Sequence, residues 1–184
     1  MTKKKERAAE LYNALITAYP DAHCALNYNN PFELLVATIL SAQATDVGVN
    51  KATPTLFDKH PTPESMAAVT PEELEPLIST IGLFRNKAKS IHASATMIRD
   101  DFGGEVPDNM KDLLKLRGVA RKTANVVLGN AFGKNEGVVV DTHVGRLAGR
   151  FGLTKETKPE KIEQDLMKEQ HPGMPINAER QSRV

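Results

Sequence analysis

Residues 110–131, MKDLLKLRGVARKTANVVLGNA, decide the fold of this 184-residue chain. Apolar residues recur there at helical spacing in two groups: Met110, Leu113 and Leu114, then Ala124, Val127, Leu128 and Ala131. Only residues 117–120 separate the two predicted helices, so these helices must turn back on each other. Gly118 permits a positive φ at the turn, and Val119 is suited to pack between both helices. The stretch therefore predicts a helical hairpin.

The second helix of this hairpin begins with two basic residues, Arg121 and Lys122. The first amides of a helix have no intrahelical acceptor and carry a partial positive charge. A helix end of this kind, flanked by cations, suits a phosphate oxygen. The spacing alone fits an ordinary helical hairpin equally well, and in that alternative Lys122 is a solvated lysine.

Charge is concentrated around the hairpin. The whole chain carries only +1, but residues 111–150 hold eight Lys or Arg against three Asp or Glu, a net +5. Charge of one sign around such a turn is what a phosphate-binding face requires, and a solvated helix face is the alternative. No apolar run could span a bilayer, and no apolar signal region follows the basic N-terminus, so we expect neither a membrane partner nor secretion.

The rest of the chain also reads as helices, which predicts an all-α fold. Asn30 and Pro31 are typical of a helix start, and the helix after them is apolar nearly all round, as in a helix at the centre of a core. Gln43 follows that helix in a polar loop. Leu83 lies in a short apolar loop, which predicts either a satellite of the core or a wedge between base pairs. Asp141 is suited to cap the helix that starts at Thr142.

Three motifs resemble the endonuclease III family of helix-hairpin-helix DNA glycosylases. They are the hairpin of residues 116–126 with the later Val140-Asp141-Thr142-His143, the segment 41–46 around Gln43, and Ile81-Gly82-Leu83 with Asn86-Lys87-Ala88. The resemblance runs from about Tyr28 to Met167 and implies two helical lobes with a DNA cleft between them. One lobe, residues 24–134, would consist of six helices and would carry the hairpin at about 109–132. Residues 1–23 with 135–184 would form a second lobe, incomplete relative to the family.

The resemblance implies a role for each candidate residue. Lys122 would attack the sugar as a buried, uncharged amine, and Asp141 would supply the catalytic carboxylate. Gln43 would fill the gap left by an extruded base, and Leu83 would wedge the duplex open. The DNA backbone would be bound by the hairpin residues Arg117, Gly118, Val119, Ala120, Arg121 and Thr123. A monovalent cation could be held on the backbone carbonyls of Leu116, Gly118 and Val119.

The sequence departs from the family pattern in two places. Arg117 and Ala120 stand where family hairpins carry proline and a second glycine. Cys24 is the one cysteine, so the family's iron–sulfur cluster has no ligand set here, and we expect no required cofactor. Since the resemblance ends near Met167, the chain is either a natural cluster-free form or a truncation. In both cases we expect apolar surface to be exposed on the first helix, at Leu11, Leu15 and Tyr19.

The expected function is base excision repair, as a bifunctional glycosylase that removes oxidised pyrimidines and cleaves the abasic site. The expected partner is double-stranded DNA with a damaged pyrimidine or an abasic site, bound by a monomer in a bacterial cytoplasm, at the nucleoid. One alternative is a monofunctional glycosylase of the same superfamily, against which Lys122 argues. The other is a non-catalytic or truncated DNA-binding remnant.

Overall fold

The computed structural model describes residues 3–169, which form ten α-helices and one short 3-10 helix and contain no β-strand. In chain order these are α1 (Lys3–Ala18), α2 (Pro31–Ser41), α3 (Asp46–Lys59), α4 (Pro63–Ala67), α5 (Pro71–Leu74), the 3-10 helix (Glu75–Ile78), α6 (Phe84–Asp101), α7 (Met110–Leu113), α8 (Arg121–Ala131), α9 (Thr142–Arg150) and α10 (Pro159–Glu169). The prediction of an all-α fold is confirmed. Over the same range, none of the helices combines the length and the apolar character needed to cross a membrane.

The chain divides into two compact units. The first unit is Cys24–Phe132 and contains α2 to α8 with the 3-10 helix. The second unit is Met1–His23 together with Gly133–Val184, and its described part contains α1, α9 and α10. The hairpin therefore lies in the first unit, and the Asp141 motif lies in the second.

Helix α2 is the centre of the first unit. Every residue from Phe32 to Leu40 is buried, because α3, α6 and α8 all pack against this helix. Its start is the predicted one: the Asn30 side chain accepts a hydrogen bond from the Glu33 amide at 2.9 Å, and Pro31 is the first helical residue. The prediction of a central apolar helix is confirmed.

The first helix of the hairpin is shorter than the sequence predicts. Asn109 caps α7, which ends after one turn, and the chain continues in tight turns from Asp112 to Leu116. These turns bring Leu116 into the core, at 2% exposure, and leave Leu114 at 44% exposure. The prediction that Leu114 belongs to the buried stripe is wrong, because that stripe assumed uninterrupted helical periodicity.

The described part of the second unit has a small core of its own. Val140, Ala148 and Ile162 are buried where α9 packs against α10. Apolar surface is exposed on and after α1, as predicted for Leu15 (52%) and Tyr19 (65%). The prediction is wrong for Leu11, which is half-buried in the wall of an open depression of about 420 Å³.

The ion pair between Asp112 and Lys115 predicts that the stability of the fold depends on pH. The Lys115 ammonium lies 2.7 Å from the Asp112 carboxylate and, with the Asn109 amide, holds the pKa of Asp112 below its ordinary value. The ionised carboxylate therefore stabilises the fold above about pH 4, and this contribution is lost as pH falls through the lowered pKa. An NMR titration of the side-chain carboxyl carbons measures this pKa.

Two lysine variants test the cause. Lys115→Met should raise the pKa of Asp112 toward its ordinary value, because it removes the hydrogen-bonded cation. Lys111→Met is the matched control and should raise the same pKa by less, because Lys111 acts on Asp112 only through charge attraction. Equal shifts in the two variants would contradict the assignment.

Candidate active site and nucleic-acid interface

The turn of the hairpin lies directly on the core of the first unit. Gly118 has a φ of 84°, and a Cβ built on it would lie 3.0 Å from the Ser90 Cβ and 3.2 Å from the Ile39 Cγ2. Val119 is buried, and its amide donates to the Leu116 carbonyl at 3.2 Å. Glycine at 118 is thus required by both conformation and space, and the predicted buried position of Val119 is confirmed.

A serine that the sequence analysis missed also holds the hairpin. The Ser94 hydroxyl donates to the Arg117 carbonyl at 2.8 Å, and Ser94 is 1% exposed. A signal exists in the sequence, because Ser94 continues the buried face of α6 that Ala88, Ile91, Ala95 and Ile98 define. A polar residue at a core position of a helix requires a buried partner, and here that partner is the hairpin backbone.

The exposed edge of the hairpin carries most of the predicted DNA-binding residues. Arg117, Gly118, Ala120 and Arg121 are exposed, and Thr123 is partly buried. Lys122, the predicted catalytic lysine, lies on the same edge. Ala120 is the N-cap of α8, and alanine has no side-chain acceptor with which to cap the first amides. The start of a helix of this kind can donate to an external acceptor. The expectation that Lys122 is buried is wrong: its side chain is exposed, two residues after the N-cap.

Asp141 is the N-cap of α9, as predicted. Its Oδ1 accepts a hydrogen bond from the Val144 amide at 2.7 Å, and the residue is partly buried. The bond fixes the orientation of the carboxylate at the start of this helix. His143, in the first turn of α9, is exposed, and its Nδ1 lies 3.3 Å from the Arg146 guanidinium.

Gln43 and Leu83 share an unusual backbone conformation. Among residues 3–169 they are the two non-glycine residues with positive φ, at 55° and 60°. Both side chains are exposed, Leu83 by 60%, although Ile81 in the same apolar loop is 3% exposed and belongs to the core. Left-handed backbone at a bulky residue is strained and is commonly retained at functional sites.

The residues present do not fit an iron–sulfur cluster. Such a cluster takes four thiolates, and Cys24 is the single cysteine of the chain. Cys24 is half-buried, and burial raises the pKa of its thiol. Across residues 3–169 no three His, Cys, Asp or Glu side chains come together in a way that could hold a metal ion.

An all-helical fold with an exposed basic hairpin is found in one class of DNA-repair proteins. Residues 36–172 match the model of the HhH-GPD superfamily of base excision DNA repair proteins, and the chain belongs to that superfamily. It is similar to Endonuclease III of Synechocystis sp., with 55% identity over 168 residues, which make up 91% of this chain and 77% of that relative. The match to the family model extends beyond Met167, where the sequence resemblance was expected to end.

Solved structures agree with this membership. A non-covalent complex of Endonuclease III with DNA superposes with a TM-score of 0.85 at 45% identity, covering 93% of this chain and 79% of that one. A trapped covalent intermediate of Endonuclease III with DNA, in an estranged-adenine complex, gives the same TM-score and identity, with coverage of 93% and 80%.

The tight packing around Gly118 predicts that Gly118→Ala destabilises the protein. The added methyl group meets Ser90 and Ile39, and alanine is strained at positive φ, so we expect a loss of about 1–3 kcal/mol in the free energy of unfolding. Denaturant unfolding of the two proteins measures this difference.

Gly129→Ala is the matched control. Gly129 lies inside α8, and nothing lies within 4 Å of the Cβ that alanine would add. Alanine should therefore stabilise this helix by roughly 0.5–1 kcal/mol. Unfolding curves that show the same change in both variants would mean that the hairpin does not lie against α2 and α6 as described.

Proposed function

We propose that this protein is a bifunctional DNA glycosylase and abasic-site lyase of base excision repair, which acts on oxidised pyrimidines. The observation that carries the proposal is the position of Lys122. Lys122 is an exposed lysine in the first turn of α8, on a hairpin of the kind used by the HhH-GPD superfamily. That a relative with 45% identity has been trapped as a covalent intermediate with DNA supports a covalent step at this lysine.

We propose that the hairpin binds the backbone of damaged duplex DNA. The amides at the start of α8 and the exposed Arg117 and Arg121 would contact phosphate oxygens. Carbonyls of Leu116, Gly118 and Val119 would hold a monovalent cation that the DNA backbone completes. This grip offsets the few kcal/mol that extrusion of a base from the stack costs.

Gln43 and Leu83 would keep the duplex open after the base has left it. Leu83 offers an apolar side chain that can separate stacked bases, and Gln43 offers an amide that can hydrogen-bond the base left without its partner. Their exposure and their strained backbone support this assignment. A backbone that is already held in this conformation presents the side chain to a ligand, which reduces the rearrangement needed on binding.

Lys122 would act as the nucleophile. Its uncharged amine attacks C1′ of the deoxyribose, a C–N bond forms, and the damaged base leaves with the electron pair of the glycosidic bond and takes up a proton. Opening of the sugar ring gives a Schiff base, which acidifies the C2′ hydrogen. Loss of that proton expels the 3′ phosphate by β-elimination, and water then releases Lys122.

Asp141 would supply the carboxylate of the reaction. Negative charge near C1′ stabilises the positive charge that develops on the sugar as the base leaves, as carboxylates do in glycoside hydrolysis. The hydrogen bond from the Val144 amide holds one carboxylate oxygen in place and so supports a fixed orientation.

The remaining assignments are also proposals. Residues 24–134 would form the lobe that grips the DNA backbone, and residues 1–23 with 135–184 would form the second lobe. We place the protein at the nucleoid of a bacterial cytoplasm, as a monomer that needs no cofactor of its own. The bacterial source of its sequence relative supports this placement.

Borohydride trapping on a duplex that contains thymine glycol or an abasic site tests the proposed reaction. Hydride reduces the Schiff base to a stable amine, so the protein should become covalently linked to DNA. Lys122→Ala should lower the yield of this adduct by about a thousandfold or more, since it removes the nucleophile. Lys111→Ala, which removes another exposed lysine of the basic segment, should retain the adduct.

Other outcomes identify the alternatives. Release of the base without an adduct indicates a monofunctional glycosylase. Binding of the duplex with neither release nor adduct indicates a non-catalytic remnant, and the proposal is then wrong.

The proposed role of Leu83 predicts that Leu83→Gly lowers the activity of the protein without lowering its stability. Leu83→Gly relieves about 1–2 kcal/mol of left-handed strain, so the protein should be at least as stable as the parent. Without the wedge, excision of thymine glycol from duplex DNA should slow by about tenfold or more, equivalent to ~1.4 kcal/mol.

Leu15→Gly is the matched control for Leu83→Gly. Leu15 is an exposed leucine in the right-handed helix α1, so glycine should cost about 1 kcal/mol of stability there and leave excision unchanged. A stable Leu83→Gly variant with the excision rate of the parent would show that Leu83 is not a wedge.

A further inference from the structure

Lys87 is a buried cation of α6. It lies in the first turn of α6 and is 6% exposed, although lysine is rarely buried unless it is paired. Its Nζ donates to the Leu40 carbonyl at 2.9 Å, and within residues 3–169 no carboxylate lies at ion-pair distance from it. Burial lowers the pKa of the ammonium, which reflects the cost of removing this charge from water.

The acceptor is a carbonyl at the C-terminal end of α2. The Ala44 amide donates to the Ser41 carbonyl at 3.0 Å, so the last turn tightens and the Leu40 carbonyl does not receive the amide four residues on. The Lys87 ammonium bonds to that carbonyl instead. A cation there also offsets the partial negative charge at the end of the helix, which would otherwise repel DNA phosphates.

The same lysine connects the end of α2, which precedes the loop of Gln43, with Leu83 at the start of α6. Its side chain holds the end of α2, three residues before Gln43. Its backbone amide donates to the Leu83 carbonyl at 3.0 Å, the first hydrogen bond of α6. The two left-handed residues, Gln43 and Leu83, are therefore anchored through one residue.

We propose that Lys87 is a positioning residue that fixes the spacing between Gln43 and Leu83, so that both side chains enter the duplex together. The inference rests on the proposed function. Two groups that fill one gap in a stacked duplex must keep their separation to within roughly 0.5 Å. The Lys87 side chain makes a buried, charge-assisted hydrogen bond from α6 to the end of α2. It therefore constrains the distance between two loops that are otherwise independent.

Lys87→Met tests this role, because methionine has similar length, is apolar and fits a buried position. Opening is followed by the fluorescence of 2-aminopurine placed opposite thymine glycol, and covalent chemistry is followed by borohydride trapping on an abasic duplex. Lys87→Met should slow opening by about tenfold, since it removes a hydrogen bond to a charged group. The saturating yield of trapped adduct should stay within about twofold of the parent, because Lys122 is untouched.

Lys89→Met is the matched control. It removes the same charge from an exposed position two residues away on α6 and should leave both measurements unchanged. If Lys87→Met fails to fold, Lys87→Gln replaces it: its amide is too short to bridge to Leu40, so the same slowing is expected.

Combining Lys87→Met with changes at Gln43 and Leu83 distinguishes a positioning role of Lys87 from a general effect on stability. In a Gln43→Gly, Leu83→Gly background, Lys87→Met should no longer slow opening, because the residues it positions are gone. Equal slowing in both backgrounds would overturn the inference, as would a folded Lys87→Met variant that opens the duplex as fast as the parent. A parent protein that forms no adduct on an abasic duplex would instead overturn the proposed function.

Discussion

The burial of α2 is the constraint on which the first unit depends. A helix without a solvent-facing side over nine consecutive residues must be covered on all sides, and α3, α6 and α8 provide that cover. The proposed functional groups lie at the ends of the elements involved: Gln43 after α2, Leu83 before α6 and Lys122 at the start of α8. Elements fixed along their length by packing hold their ends more rigidly than free loops do.

The backbone of the hairpin turn is also held in place by packing against buried helices. Its contacts with Ser90, Ser94 and Ile39 leave the opposite edge of the turn exposed, with amides and basic side chains at its surface. Recognition of phosphate by backbone amides carries no sequence information. Such recognition suits a repair protein, which must bind damage in any sequence context.

The sequence predicted the features that depend on short-range signals. Asn30 and Asp141 were identified as caps from residue type and spacing, and Gly118 from the need for a turn. The exposure of Lys122 and Leu114 was not predicted, because it depends on where α7 ends and how α8 lies on α2. The contacts of Ser94 and Lys87 were missed for the same reason: each bonds to a carbonyl more than twenty residues away in sequence.

The single thiol at Cys24 has a practical consequence for spectroscopy. It is the first residue of the first unit, at the point in the chain where one unit gives way to the other. Because burial raises the pKa of this thiol, little thiolate is present near neutral pH, and coupling to a maleimide dye is faster in mildly alkaline buffer. The unaltered chain thus accepts one fluorophore or spin label at a defined place, and no cysteine has to be removed first.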